Sequence, residues 1–396
     1  MKKPLFSSVF AGLIILTLVG CGTPASSPQG NVSKSNSAVS NSPNTSSFPS
    51  TQTKTPSRRS YPVLSSIHMV NQIKGWAMAK SGAVWYTTDG AKTWDNVTPK
   101  AIQLLLPFPI SFYYFGANNV WLLMSPSNQK VITFFKTSNH GKTWKVSKMN
   151  KVGYRMYLQF TDQNHGWLLI SLGAAAGSEQ ASLYQTGNRG ESWREISYRI
   201  TANNGSMPLT GDELGVYFIN SEHGWLTGFT SASGVVYLYQ TRNDGRTWTQ
   251  QNIPIPSKLD QFITNPPIFF SKKDGIFPVV VASESNINSV KLLVYRTING
   301  GNSWIPTIPV PLSWNSTGVD KWSFISKSTW FVGANKLYIT HDGGQKWNSI
   351  DTNISIKNVN EVDFVSSQDG WALMKNSDAL YHTVDGGRVW EKIHGN

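Results

Sequence analysis

The residues with the clearest spacing for chemistry are seven Asp or Asn side chains, each third in an eight-residue box that opens on Thr and closes on Trp. The boxes span 87–94, 137–144, 186–193, 241–248, 297–304, 340–347 and 383–390. Their third residues are Asp89, Asn139, Asn188, Asn243, Asn299, Asp342 and Asp385. A series of carboxylates would suit cation binding or acid–base work, but four of these seven are amides, so charge is dispensable. Asp or Asn at such a place accepts backbone N–H bonds within a tight turn, and glycine two residues on takes positive φ. The boxes read as turns. Ala91 replaces that glycine in the first copy, which predicts an altered turn there.

Other chemistry finds little support. Of seven histidines, His140, His165, His223 and His341 fall in turns of the repeat, and none has paired ligand spacing. Cys21 is the single cysteine, which excludes a disulfide framework and thiolate zinc motifs. The Gly-Gly pairs 343–344 and 386–387 belong to boxes, not to a phosphate loop, and no serine stands in a nucleophile elbow. A glycosidase needs two carboxylates across a cleft. Asp212, Glu213, Asp260, Asp320 and Glu361 lie in the connections between repeats and read as solvated loop charges. No cofactor and no metal is implied.

The elements that position the boxes follow from a second signature upstream of each. Its clear copies are Phe160…Gly166-Trp167, Phe218…Gly224-Trp225 and Phe364…Gly370-Trp371, and looser copies end at Trp76, Trp121, Ile276 and Trp330. An aromatic also precedes each box by two residues: Trp85, Phe135, Tyr184, Tyr239, Tyr295, Tyr338 and Tyr381. Each repeat therefore reads as four short strands. The first ends at the Phe position, the second starts at Gly-Trp, the third carries aromatic-x-Thr, and the fourth starts at the box Trp. Residues 61–396 divide into seven repeats of about 48 residues, the size of a propeller blade. The expected fold is all-β: a seven-bladed β-propeller of four-stranded antiparallel blades.

The box spacing is fixed, and the Phe-to-Trp spacing is seven residues in every repeat but the sixth, where Phe324 to Trp330 is six, so those turns share one end of the blades. The other two connections vary in length, and the longest fall in repeats two to five. Variable loops on a rigid scaffold carry function more often than fixed turns. The expected partner-binding rim therefore comprises Tyr154, Arg155 and Tyr157, then Tyr198, Arg199, Asp212 and Glu213, and then Lys258, Asp260 and Phe262. Clustered aromatic and Arg side chains are typical interface anchors.

The boxes resemble the Asp-box (BNR) repeats of sialidase-type propellers. Their pairing with Phe-x5-Gly-Trp is similar to the photosystem II stability/assembly-factor propellers, over all of 61–396. That resemblance implies a non-enzymatic protein that binds a partner or assists assembly of a membrane complex. The alternative is a surface glycan-binding or glycan-cleaving propeller. A sialidase uses an arginine triad and an early Phe-Arg-Ile-Pro-type motif. The motif is absent, and Arg189, Arg246 and Arg388 sit in box turns, at the wrong end.

Residues 1–20 have the form of a signal peptide: Lys2-Lys3, then an apolar run too short to span a membrane. The run closes on Leu18-Val19-Gly20-Cys21, which resembles the lipobox of bacterial lipoproteins and implies a lipid on Cys21. Residues 21–60 hold twelve serines and no acidic residue, a composition that buries too little apolar surface to fold. They are expected to tether the propeller outside the cytoplasm, lipid-anchored to the cell membrane. Charged residues make up 14% of the chain and aromatics 12%, which points to turn-rich β structure. The net charge of +13 is scattered along the chain, whereas nucleic-acid binding wants it clustered.

Overall fold

The computed structural model describes residues 61–103, 110–115, 118–125, 130–175, 178–201, 204–208, 211–230, 232, 234–256, 259, 261–283, 286–312, 321–375 and 379–395. The expected leader 1–20, Cys21 and the expected tether to residue 60 lie outside them, as do Lys258, Asp260 and Asp320.

The inner strands are buried at nearly every position, as in Asn119–Met124, Gly224–Phe229 and Trp330–Gly333, and strands that follow one another within a repeat pair antiparallel. In the first repeat Leu64–Met69, Gly75–Ala79, Val84–Thr87 and Asp95–Asn96 form a four-stranded sheet. The second, sixth and seventh repeats do the same. The third gains a fifth strand, Asn204–Gly205, on the edge of Arg194–Thr201. The fourth and fifth share one ten-stranded sheet, joined where Phe229 pairs with Ile263. Each fourth strand begins one residue beyond its box Trp.

The Phe…Gly-Trp signature is a hairpin in which Phe160 pairs with Gly166, Phe218 with Gly224 and Phe364 with Gly370. A Cβ on these glycines would lie 2.7, 2.6 and 2.4 Å from the phenyl ring, so the ring occupies the space of the missing side chain. The long second-to-third connections of repeats three and five are extended hairpins: Gly166–Ala175 with Ser178–Thr186, and Gly275–Ser283 with Asn286–Thr297. Continuing the ladder satisfies backbone groups that an irregular loop would leave to water.

The core lies between sheets. Trp76 and Val84 of the first repeat pack on Phe112 and Leu122 of the second, and Trp121 and Phe134 on Leu158 and Phe160 of the third. The series continues through Trp167 with Val216 and Phe218, Trp225 with Phe277 and Val279, Ile276 with Phe324 and Trp330, and Phe331 with Val362 and Phe364. A last cluster joins Trp371 and Leu373 to Leu64, Ile67 and Ala77, so the final repeat packs on the first. Trp76, Trp121, Trp167, Trp225, Trp330 and Trp371 are fully buried. At 150–250 Å² each, such rings contribute about 4–6 kcal/mol of gross hydrophobic stabilisation apiece. Antiparallel sheets that cover one another's faces in this way make a β-propeller. Among the described residues no helix is long and apolar enough to cross a membrane.

Candidate functional site

The box turns form one repeated bond set. In every copy the Thr hydroxyl donates to the Asx Oδ1 at 2.7–3.0 Å. The fifth residue's N–H donates to that hydroxyl at 2.9–3.0 Å. The seventh residue's N–H donates to Oδ1 at 2.9–3.1 Å. One oxygen thus does the shared work, which is why amide and carboxylate both serve. In the four Asn boxes Nδ2 donates to a Ser or Thr hydroxyl at the seventh position. Asp342 and Asp385 face Lys346 and Val389 there, and accept an extra N–H from the sixth residue instead. The fourth and fifth residues of each box take positive φ, including Ala91, His140, Arg189 and Asp244. Ala91 (φ 71°) keeps the same bond to Thr87, so the first box is not altered as expected. Its methyl is buried against the cluster that joins first and last repeats.

These bonds carry a pH consequence. Burial opposes ionisation of Asp89, Asp342 and Asp385, but bonds from their Thr hydroxyls and backbone N–H groups outweigh it and hold all three below the usual 3.8. Depressed carboxylates stabilise the fold above the unfolded value and lose that contribution as pH falls through the folded one. A protein with all three changed to Asn is expected to lose stability less steeply below pH 3.8 than the wild type. At neutral pH, Asp342→Asn should stay within about 0.5 kcal/mol of wild type and Asp342→Ala should cost about 1–2 kcal/mol. Urea titrations check both, and a silent Ala variant would deny the turn its structural role.

The expected rim is only partly a surface. Tyr154 precedes the strand Arg155–Phe160 and is 81% exposed, and Tyr198 is 39% exposed. Strand register places Arg155, Ser171, Ala181 and Arg199 in one row of the third sheet. Three strand spacings therefore separate Arg155 from Arg199, about 14 Å. Tyr157 is half-buried against the cluster between repeats three and four.

Arg199 and Glu213 depart from expectation. They lie in the strands Arg194–Thr201 and Asp212–Phe218, not in a loop, and both side chains are sealed from solvent. The Arg199 guanidinium donates to Glu213 Oε2 at 2.7 Å, to the Gly211 carbonyl at 2.8 Å and to the Pro208 carbonyl. Nη1, the donor to Pro208, also stands 2.7 Å from Glu213 Oε1, which accepts from Tyr237 Oη at 2.7 Å as well. Strand alternation turns the pair into the interface between repeats three and four, where every lone pair must be satisfied. Asp212 is half-buried beside them: burial raises its pKa, and Arg155 and Arg199 pull it back. Phe262 is 3% exposed in the cluster between repeats four and five, so it too is core. Glu361 is equally buried, accepting the Ile67 N–H at 3.1 Å. Among the described residues no three His, Cys, Asp or Glu side chains gather for a metal ion.

A second device was missed in the sequence. In repeats two, three, four, six and seven the residue before the Phe position clasps backbone at or beside the same position in the next repeat. Tyr113 Oη donates to the Phe160 carbonyl at 3.1 Å and accepts its N–H at 2.8 Å. Gln159 brackets Phe218 likewise at 2.8 and 2.7 Å. Tyr217 bonds the Phe269 backbone, and Ser323 accepts from Phe364 N–H while donating to the Val362 carbonyl. Asp363 accepts the Met69 N–H, carrying the series from the last repeat to the first. The available signal was a polar residue at each of these inward positions.

No known protein family and no curated protein sequence matches the chain. Solved structures do. The GH74 xyloglucanase from Xanthomonas campestris superposes with a TM-score of 0.55 at 12% identity, over 84% of this chain and 54% of its own. The chain thus spans about half the length of that enzyme. YCF48 from Cyanidioschyzon merolae gives 0.50 at 18% identity, covering 82% of this chain and 94% of its own. YCF48 bound to D1 peptide gives 0.50 at 17%, covering 82% and 92%. At such identities the likeness establishes the β-propeller fold.

Proposed function

We propose that this protein is a seven-bladed β-propeller, lipid-anchored through Cys21 outside the cytoplasm, that binds a protein partner and assists a membrane complex without catalysing a reaction. The observation that carries the reading is Tyr154, 81% exposed at the end away from the box turns, with Tyr198 on the same sheet. Exposed tyrosines are rigid amphipathic anchors of the kind that protein interfaces use. Seven boxes and seven inter-sheet clusters support the blade count. The YCF48 structure with a bound D1 peptide supports a peptide-binding role on this fold.

A photo-crosslinking residue at position 154 in the full-length protein, in its own membrane, is expected to give a discrete protein adduct, and one at position 92 in a box turn to give none. Tyr154→Ala with Tyr198→Ala should abolish capture without moving the melting midpoint. Cys21→Ser should remove a metabolic lipid label. An adduct from position 92 alone would reverse the face. Turnover of cell-wall glycans, with no adduct from either position, would favour the glycan-cleaving alternative.

A further inference from the structure

Between the second and third repeats, at the box-turn end, lies a groove of about 640 Å³, within the size range of small-ligand sites. It is lined by the outer strand of the second sheet on one side and by the box turn of the third on the other. Three cations face it: Lys136, Lys145 and Arg189, against the single acid Glu191. Lys136 is half-buried with its ammonium 4.7 Å from the Trp121 ring centre. Among the described residues its ammonium makes no ion pair and no hydrogen bond. Burial lowers its pKa, and Arg189 and Lys145 lower it further while Glu191 opposes them.

The same position in other repeats is differently used. Tyr86 and His382 set a ring against their tryptophan, at 4.7 and 4.5 Å between centroids, and Arg296 donates to the Asp342 carbonyl at 3.2 Å. Lys136 therefore keeps a charge that no turn oxygen engages and that Glu191 alone offsets among the groove's residues. Around it the groove presents Asn118, Ser138 and Gln163, all exposed, with Asn119 and Ser147 half-buried. Such amide and hydroxyl groups match the donors and acceptors of sugar hydroxyls. A protein partner would want aromatic or aliphatic anchors, and the groove offers only Val146 at 53% exposure.

We infer that this groove binds an acidic oligosaccharide, its carboxylate seated between Lys136, Lys145 and Arg189 and its hydroxyls met by the amide and hydroxyl side chains. The site is separate from the face assigned to the protein partner and does not rest on that assignment.

Calorimetric titration with tetragalacturonate tests it on the full chain at low ionic strength. Binding is expected with the acid form, and not with its methyl ester. Lys136→Met keeps the aliphatic stem on Trp121 and removes the charge, so the melting midpoint should hold while affinity falls about tenfold, the effect of one charge-assisted contact. Lys136→Arg should restore it. Arg189 sits at φ 66°, so Arg189→Asn, which tolerates that conformation, is a second neutral variant expected to weaken binding similarly. The proposal is overturned if the acid form does not bind, if its ester binds equally, or if neither neutral variant weakens binding. A tetraglutamate peptide binding as tightly as the saccharide would overturn the ligand class.

Discussion

Arg199→Ala is expected to lower the unfolding free energy by about 3–5 kcal/mol, because it strands a buried carboxylate without its partner. Glu213 would lose the guanidinium that meets both its oxygens, and the Gly211 and Pro208 carbonyls would each lose a donor. Arg199→Lys should recover only part of the loss, since an ammonium cannot reproduce the planar fork that meets two carboxylate oxygens and two carbonyls at once. Replacing both charges, with Arg199→Met and Glu213→Leu, should be milder than Arg199→Ala alone, because no bare charge remains. Urea denaturation followed by tryptophan fluorescence gives all four values. An Arg199→Ala protein as stable as wild type would mean that water reaches the pair, contrary to the sealed side chains.

Trp371→Ala is expected to cost about 3–5 kcal/mol, the range for deleting a large buried ring. The indole fills the cluster shared by the last and first repeats, and its Nε1 donates to the Gly90 carbonyl at 3.1 Å. Its loss should therefore raise amide exchange in Leu64–Met69 as well as in Gly370–Met374, strands far apart in sequence. Trp225→Ala should instead loosen repeats four and five. If exchange after Trp371→Ala rose only in the last repeat, the first and last sheets would not share a core in solution.

Much of this architecture is legible in the sequence because the repeat states it several times over. The box Thr, its Asx and the closing Trp recur at fixed spacing, and so do the hairpins ending at Phe160, Phe218 and Phe364. A turn that local bonds specify is readable from local residues. Which residues of the expected rim face water was not, and Arg199 shows why. Whether an arginine faces water depends on the strand that continues beneath it and on a carboxylate fourteen residues later, and both are tertiary facts. Tyr113, Gln159 and Asp363 were unreadable for a similar reason: the groups they satisfy lie in another repeat. Lys136 stands one residue before a box Thr, in a stretch whose sequence reads as structural. Its charge matters through Trp121 and Arg189, contributed by another strand and by the neighbouring repeat.

The clasp from Asp363 to Met69, together with Tyr61 stacked on His394 at 4.9 Å between ring centres, puts residues 61 and 394 side by side. A short peptide would bridge them, and new termini cut into another exposed loop would leave every clasp and cluster intact. Circular permutation should thus be nearly free of thermodynamic cost in this domain. The register of the repeats along the gene is then historical and not mechanical: any blade would serve as the first.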